Sequence, residues 1–161
     1  VKYKRFEELP VWKDAAKLAA EMFRFSALPA FRGKGDLANP LQRATLSISN
    51  NIAEGFERGT TKELITFLYY ARGSAGEVRS MLAMMRMMPD FESLDAQIGR
   101  DKETVESITR QIRGWAQSLQ DSDTTGQRYL TKQSQEEETR RKSREAFLEK
   151  VEALTKKSRG F

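Results

Sequence analysis

The chain has 161 residues, 32% of them charged, with 28 Lys and Arg against 23 Asp and Glu, which suits one domain with a modest core plus an appendage. It contains no His and no Cys, which excludes Ser-His-Asp and Cys-His nucleophile systems, the usual zinc sites, disulfides and the commonest general base. An enzyme, a metal or a cofactor is therefore not expected, whereas a formal charge of +5 and a pI of about 9.5 make polyanion binding worth testing.

No segment has the roughly 20 apolar residues that span a bilayer. The start, VKYKRFEELP, lacks the apolar stretch of a signal peptide, so a soluble cytoplasmic protein is expected. From Pro10, which suits a first helical turn, Trp12, Ala15, Ala19, Met22 and Ser26 recur at alternating three and four spacing, with Val11, Leu18 and Phe25 beside them. That predicts a first helix from about Glu8 to Leu28, ended by Pro29. FRGKGD follows as a loop carrying Arg32 and Lys34; its GKG lacks the spacing of a phosphate-binding P-loop.

Asn39 and Pro40 read as N-cap and first residue of a second helix, with Leu41, Ala44 or Thr45, Ile48 and Ile52 as its buried stripe. The stretch NNIAEGFERG, Asn50 to Gly59, is then the connection to a third helix, with Gly55 or Gly59 as its end. Glu54 and Glu57 form a conceivable acid/base pair, but no His, Cys or phosphate cradle accompanies them. A structural turn, with Glu54 paired to Arg58, is the favoured reading.

Thr60 and Glu63 have capping-box spacing and open a third helix from Thr61 to about Met88. Leu64, Leu68, Ala71, Ala75, Val78, Leu82 and Met85 form an uninterrupted heptad seam. A second row, Phe67, Met81 and Met88 completed by Ser74, predicts another buried face, most simply a self-association surface, with a wide but wholly intramolecular core as the alternative. Gly73 and Gly76 each weaken a helix interior by about 1 kcal/mol, which predicts a compensating close helix approach.

After Pro89-Asp90, a fourth helix is expected from about Glu92 to Gln120, with the seam Leu94, Ile98, Val105, Ile108, Ile112, Trp115 and Leu119. Asp101 interrupts that seam, which suggests that the first half of the helix is exposed or frayed; a buried functional Asp is the alternative. The predicted fold is thus all-α: an antiparallel up-down four-helix bundle over residues 1–120. A polar linker over 121–134 and a charged C-terminal helix over 135–161 follow. In that helix Glu136, Glu137 and Glu138 precede Arg140, Arg141 and Lys142 by four residues, and Phe147, Leu148, Val151 and Leu154 supply a small apolar face.

LPVWKDAAKLA and LQRATLSISNNIAEGFERGTTKELITFLYYARGSAGEVRSML resemble the four-helix-bundle proteins encoded in intervening sequences of bacterial 23S ribosomal RNA genes. The resemblance covers roughly residues 6–120. Its most specific marks are the Asn-Ile-Ala-Glu-Gly stretch, the Phe-Leu pair of the third helix and the Gly-Ser that follows. Ser49 departs from it, standing where many members have Pro. The resemblance implies a homo-oligomer, typically a pentameric ring, and kinship with accessory proteins of diversity-generating retroelements. Those proteins are basic and associate with nucleic acid and reverse transcriptase.

The candidate nucleic-acid contacts are Arg32, Lys34, Arg43, Arg58, Lys62, Arg72, Arg79 and Arg86. Arg72, Arg79 and Arg86 are seven apart and line one side of the third helix, where guanidinium groups can track a phosphate backbone. Tyr69 and Tyr70 can add base stacking. The competing use of this row is ion pairing with Glu103 or Glu106 of the next helix. Phe67, Met81 and Met88 are the candidate oligomer contacts. The function these features point to is non-enzymatic binding of RNA or DNA by an oligomeric accessory protein. The alternative is an oligomeric adaptor whose tail docks a protein such as a reverse transcriptase or nuclease.

Overall fold

The computed structural model describes residues 3–121, 140 and 143–148. Contacts divide the chain into two compact units, Val1–Gly126 and Gln127–Phe161. In the second, Arg140 and residues 143–148 are helical, and Phe147 and Leu148 are exposed. The remaining expectations for the linker and tail, including the three Glu–cation pairs, lie outside the described residues.

Helix α1, Pro10–Ser26, begins at Pro10, whose missing N–H is one a first turn leaves unbonded anyway. A 3-10 turn, Phe6–Glu8, precedes it, and Phe6 meets Trp12 edge to face at 5.1 Å between ring centroids. Both predicted apolar rows of α1 are buried, apart from the half-buried Trp12. The loop that follows turns at Gly33 and Gly35, both with left-handed backbone (φ 72° and 62°).

Helix α2, Ala38–Glu57, starts one residue before the predicted cap. Asn39 lies inside its first turn and donates to Asp36 at 3.3 Å, so it caps nothing. Pro40 is tolerated there because first-turn N–H groups have no intrahelical partner. Leu41, Ala44, Thr45, Ile48 and Ile52 are buried as expected, and the Thr45 hydroxyl donates to the Leu41 carbonyl at 2.7 Å.

Neither glycine of NNIAEGFERG ends α2. Gly55 is buried within the last turns, and Gly59 does not take the left-handed conformation. The stretch is helix through Glu57, and the turn is only Arg58, Gly59 and Thr60. Gly55 is there because α2 and α3 nearly touch: a methyl group at this position would lie 2.7 Å from Phe67 Cβ and 3.2 Å from Leu64 Cδ1.

Helix α3, Thr61–Met85, opens with the predicted cap. Thr60 Oγ1 accepts from the Glu63 N–H at 3.2 Å and donates to the Glu63 carboxylate at 2.8 Å. All seven residues of the predicted seam are fully buried. The helix ends three residues early, and a 3-10 segment, Pro89–Leu94, precedes α4, Asp95–Gln120. That segment buries Phe91, which packs edge to face on Phe31 at 5.0 Å; Phe31 meets Phe25 the same way at 5.3 Å.

The four helices pack antiparallel in sequence order, and α1 closes on α4, where Gln111 donates to Asp14 at 3.0 Å. Asp101 is buried in the α4 seam, 7% exposed, and the first half of α4 is neither exposed nor frayed. Ile98 and Val105, one turn to either side, are fully buried and hold that part of the helix down, carrying the carboxylate inward with them. Among the described residues, no helix is long and apolar enough to cross a membrane.

Candidate nucleic-acid interface

The eight candidate cations do not converge. Arg32 and Lys34 lie on the loop joining α1 to α2, and Arg86 caps the C-terminus of α3 at that same end of the bundle. Arg58 and Lys62 lie at the other end, about 37 Å away along a 25-residue helix rising 1.5 Å per residue.

Several of them are engaged. The Lys34 ammonium sits 2.7 Å from the Asp90 carboxylate, and this hydrogen bond holds Asp90 below the usual carboxylate range. Arg86 grips Asp95 with two parallel bonds of 2.6 and 2.9 Å, which lowers the Asp95 pKa and raises that of Arg86. Arg58 pairs with Glu54, as its spacing suggested, and lies over the Phe67 ring at 4.9 Å. Arg43 lines a groove of about 530 Å³ between α2 and α3 that also contains Glu54 and Glu77, so carboxylates flank its charge. Lys62 is exposed in the first turn of α3, and Arg32 is exposed on its loop.

Arg72 and Arg79 are different. Both are exposed, and neither makes an ion pair among the described residues. The Arg72 guanidinium lies over the Tyr69 ring at 5.5 Å. Two contacts fix how α3 runs past α4: Gln120 donates to the Tyr69 hydroxyl at 3.0 Å, and Arg86 holds Asp95. Counting along both helices from each contact brings Arg72 level with positions 109 to 117, and Arg79 level with 102 to 110. Residues 107–120 contain no acidic side chain, but they do contain Arg110 and Arg113, both exposed. The predicted pairing of this row with Glu103 or Glu106 is not formed; only Arg86 is neutralised, and by Asp95. The Arg72 end of the α3–α4 side therefore carries the least compensated positive charge among the candidates, while Glu103 and Glu106 lie at the level of Arg79 without pairing with it. Arg110 and Arg113 were missed by sequence reasoning, although the acid-free run through them is visible in SITRQIRGWAQSLQ.

The proposed oligomer contacts are partly used within the chain. Met81 and Met88 pack against the core. Phe67 is half-buried, stacked edge to face on Tyr70 at 5.6 Å and backed by Gly55. Gly73 and Gly76, expected to permit a close helix approach, have open space above them among the described residues. Nearby, Tyr70 and Met84 on the exposed side of α3 and Met87 in the turn after it are 57%, 43% and 83% exposed.

No curated protein matches the chain. Residues 7–114, which span all of α1, α2 and α3 and most of α4, match the family model of the 23S rRNA-intervening sequence protein, and the chain belongs to that family.

Proposed function

We propose that this protein is a non-enzymatic nucleic-acid-binding accessory protein that contacts phosphates through the α3–α4 side of its bundle. The observation that supports this reading is the pair Arg72 and Arg79, which make no ion pair among the described residues, with Arg72 lying beside the acid-free, Arg-bearing half of α4. Guanidinium groups spaced two helical turns apart neutralise phosphates without reading bases, so binding is sequence-tolerant and weakens steeply with salt. Tyr69, beneath Arg72, offers a stacking surface for an unpaired base. Of the other candidates, Arg32 and Lys62 contribute at the ends of the bundle. Lys34, Arg58 and Arg86 contribute less because each already holds a carboxylate.

The test is binding of the full-length protein to labelled structured RNA and to duplex DNA across a salt series. Replacing Arg72 and Arg79 by Gln lowers affinity at low salt and flattens the slope of log K against log salt by about two for each bundle engaged. Lys34→Gln leaves the slope unchanged. Unaltered binding by the double variant overturns the assignment.

The same reading makes the protein a homo-oligomer, with a pentameric ring as the form implied by the resemblance. The outward side of α3, bearing Gly73, Gly76 and Met84 and continued by Met87 in the turn after it, is the contact surface, edged by Phe67, Met81 and Met88. Sedimentation of the purified chain tests it: a monomer at all accessible concentrations refutes it. The exposed Phe147 and Leu148 favour a second activity, docking of a protein such as a reverse transcriptase or nuclease by the C-terminal helix. Removing residues 121–161 then abolishes partner capture and leaves salt-sensitive nucleic-acid binding intact.

A further inference from the structure

Asp101 is a buried acid for which neither the bundle nor the nucleic-acid reading has a use. It replaces an apolar residue in the α4 seam between the fully buried Ile98 and Val105. Its Oδ2 is sealed from solvent and has no hydrogen-bond partner among the described residues. A charged oxygen in such a place loses its hydration without gaining a hydrogen bond in return.

The surrounding charges do not repair this. Glu21 of α1 acts on Asp101 with like charge, and Arg100 of α4 opposes it only weakly from the solvent side. Counting ten residues along each helix from the Asp14–Gln111 contact brings Arg24 of α1 level with Asp101. Yet Arg24 is exposed and forms no ion pair with it. The buried seam that α3 presents to the core is wholly apolar. Here α1 and α4 are closed by a polar contact, Gln111 to Asp14, whereas α2 and α3 are locked by the Gly55–Phe67 approach.

We propose that Asp101 is a proton-operated latch on the α1–α4 seam: the neutral acid lets the seam close, and the carboxylate loosens α1 from α4 while α2 and α3 stay packed. Burial, reinforced by Glu21, raises the Asp101 pKa to about 6. The folded value thus lies above the unfolded one of about 3.9, so closing the seam takes up a proton. The stability from Asp101 is accordingly full below about pH 4, is lost as pH rises through about 6, and levels off above that. At neutral pH the seam is in its loosened regime.

Hydrogen exchange of the full-length protein, corrected for intrinsic rates, tests this at about pH 5 and about pH 7.5. In the wild type the opening constant of α1 and α4 amides rises roughly ten-fold between these values, from the two pKa values above. Amides of α2 and α3 around Gly55 and Phe67 do not follow. Asp101→Asn abolishes the rise. Glu21→Gln, a substitution at an exposed site that leaves the core intact, moves the midpoint to lower pH because the like charge is gone. An unchanged wild-type profile, a rise that persists in Asp101→Asn, an equal rise in α2 and α3, or an unmoved midpoint in Glu21→Gln each overturns the proposal.

Discussion

Adding one methyl group at Gly55 separates two opposed effects. Gly to Ala in a helix interior stabilises by about 1 kcal/mol through backbone entropy and propensity. At Gly55 the new carbon would sit 2.7 Å from Phe67 Cβ, closer than carbon atoms approach, and 3.2 Å from Leu64 Cδ1. Leu64 Cδ1 ends a side chain and can give way. Phe67 Cβ is attached directly to the α3 backbone, so relief requires the helices to part. Overpacking of this kind costs about 1–3 kcal/mol. The net expectation for Gly55→Ala is a loss of about 1 kcal/mol, a fall of about 4 °C in Tm for a bundle of this size. Gly73→Ala and Gly76→Ala meet nothing within 4 Å among the described residues and gain about 0.5–1 kcal/mol each. Urea denaturation followed by far-UV circular dichroism, with protein concentration held low and constant, measures all three. A Gly55→Ala variant as stable as Gly73→Ala would refute the close approach of α2 and α3. If Gly73→Ala and Gly76→Ala stabilise the bundle yet weaken self-association, the open space above them is used between subunits.

Other expectations follow from the same contacts. Phe91→Ala removes a fully buried ring that packs on Phe31, and it lowers unfolding stability by about 3–5 kcal/mol in the same denaturation assay. Thr60→Ala deletes the α3 cap and costs about 1 kcal/mol, whereas Thr60→Ser retains the hydroxyl and recovers most of it. Lys34→Gln leaves the urea midpoint within measurement scatter, because its partner Asp90 is exposed and such pairs contribute little.

Much of this architecture was legible in one dimension. The α3 seam repeats every seven residues without a break, and a repeat that long has only one way to be buried. Pro10, the Thr60–Glu63 cap and the break at Pro89 act through backbone groups one turn away, so their placement needs no knowledge of the fold. The Glu54–Arg58 pair is likewise local. Local rules failed where the deciding atoms are distant in sequence. Gly55 looks like a helix stop, but its role is set by Phe67 on the neighbouring helix. Phe31 and Phe91 sit in segments that read as loop and break, and only the meeting of the two connections at one end of the bundle turns them into core.

The candidate site divides along the same line. The absence of His and Cys leaves this chain without imidazole or thiol groups, and heptad spacing determined that Arg72, Arg79 and Arg86 share a side of one helix. Which of the three keeps its charge available depended on what α4 places opposite. Asp95 neutralises Arg86, Arg72 faces a stretch without a carboxylate, and Arg79 forms no ion pair among the described residues although Glu103 and Glu106 lie at its level. Asp101 follows the same logic: the sequence marks it as a polar interruption, and its neighbours Ile98 and Val105 decide that it is buried. Ion pairing and desolvation depend on distance in space, and for these residues only the packing of one helix against another sets that distance.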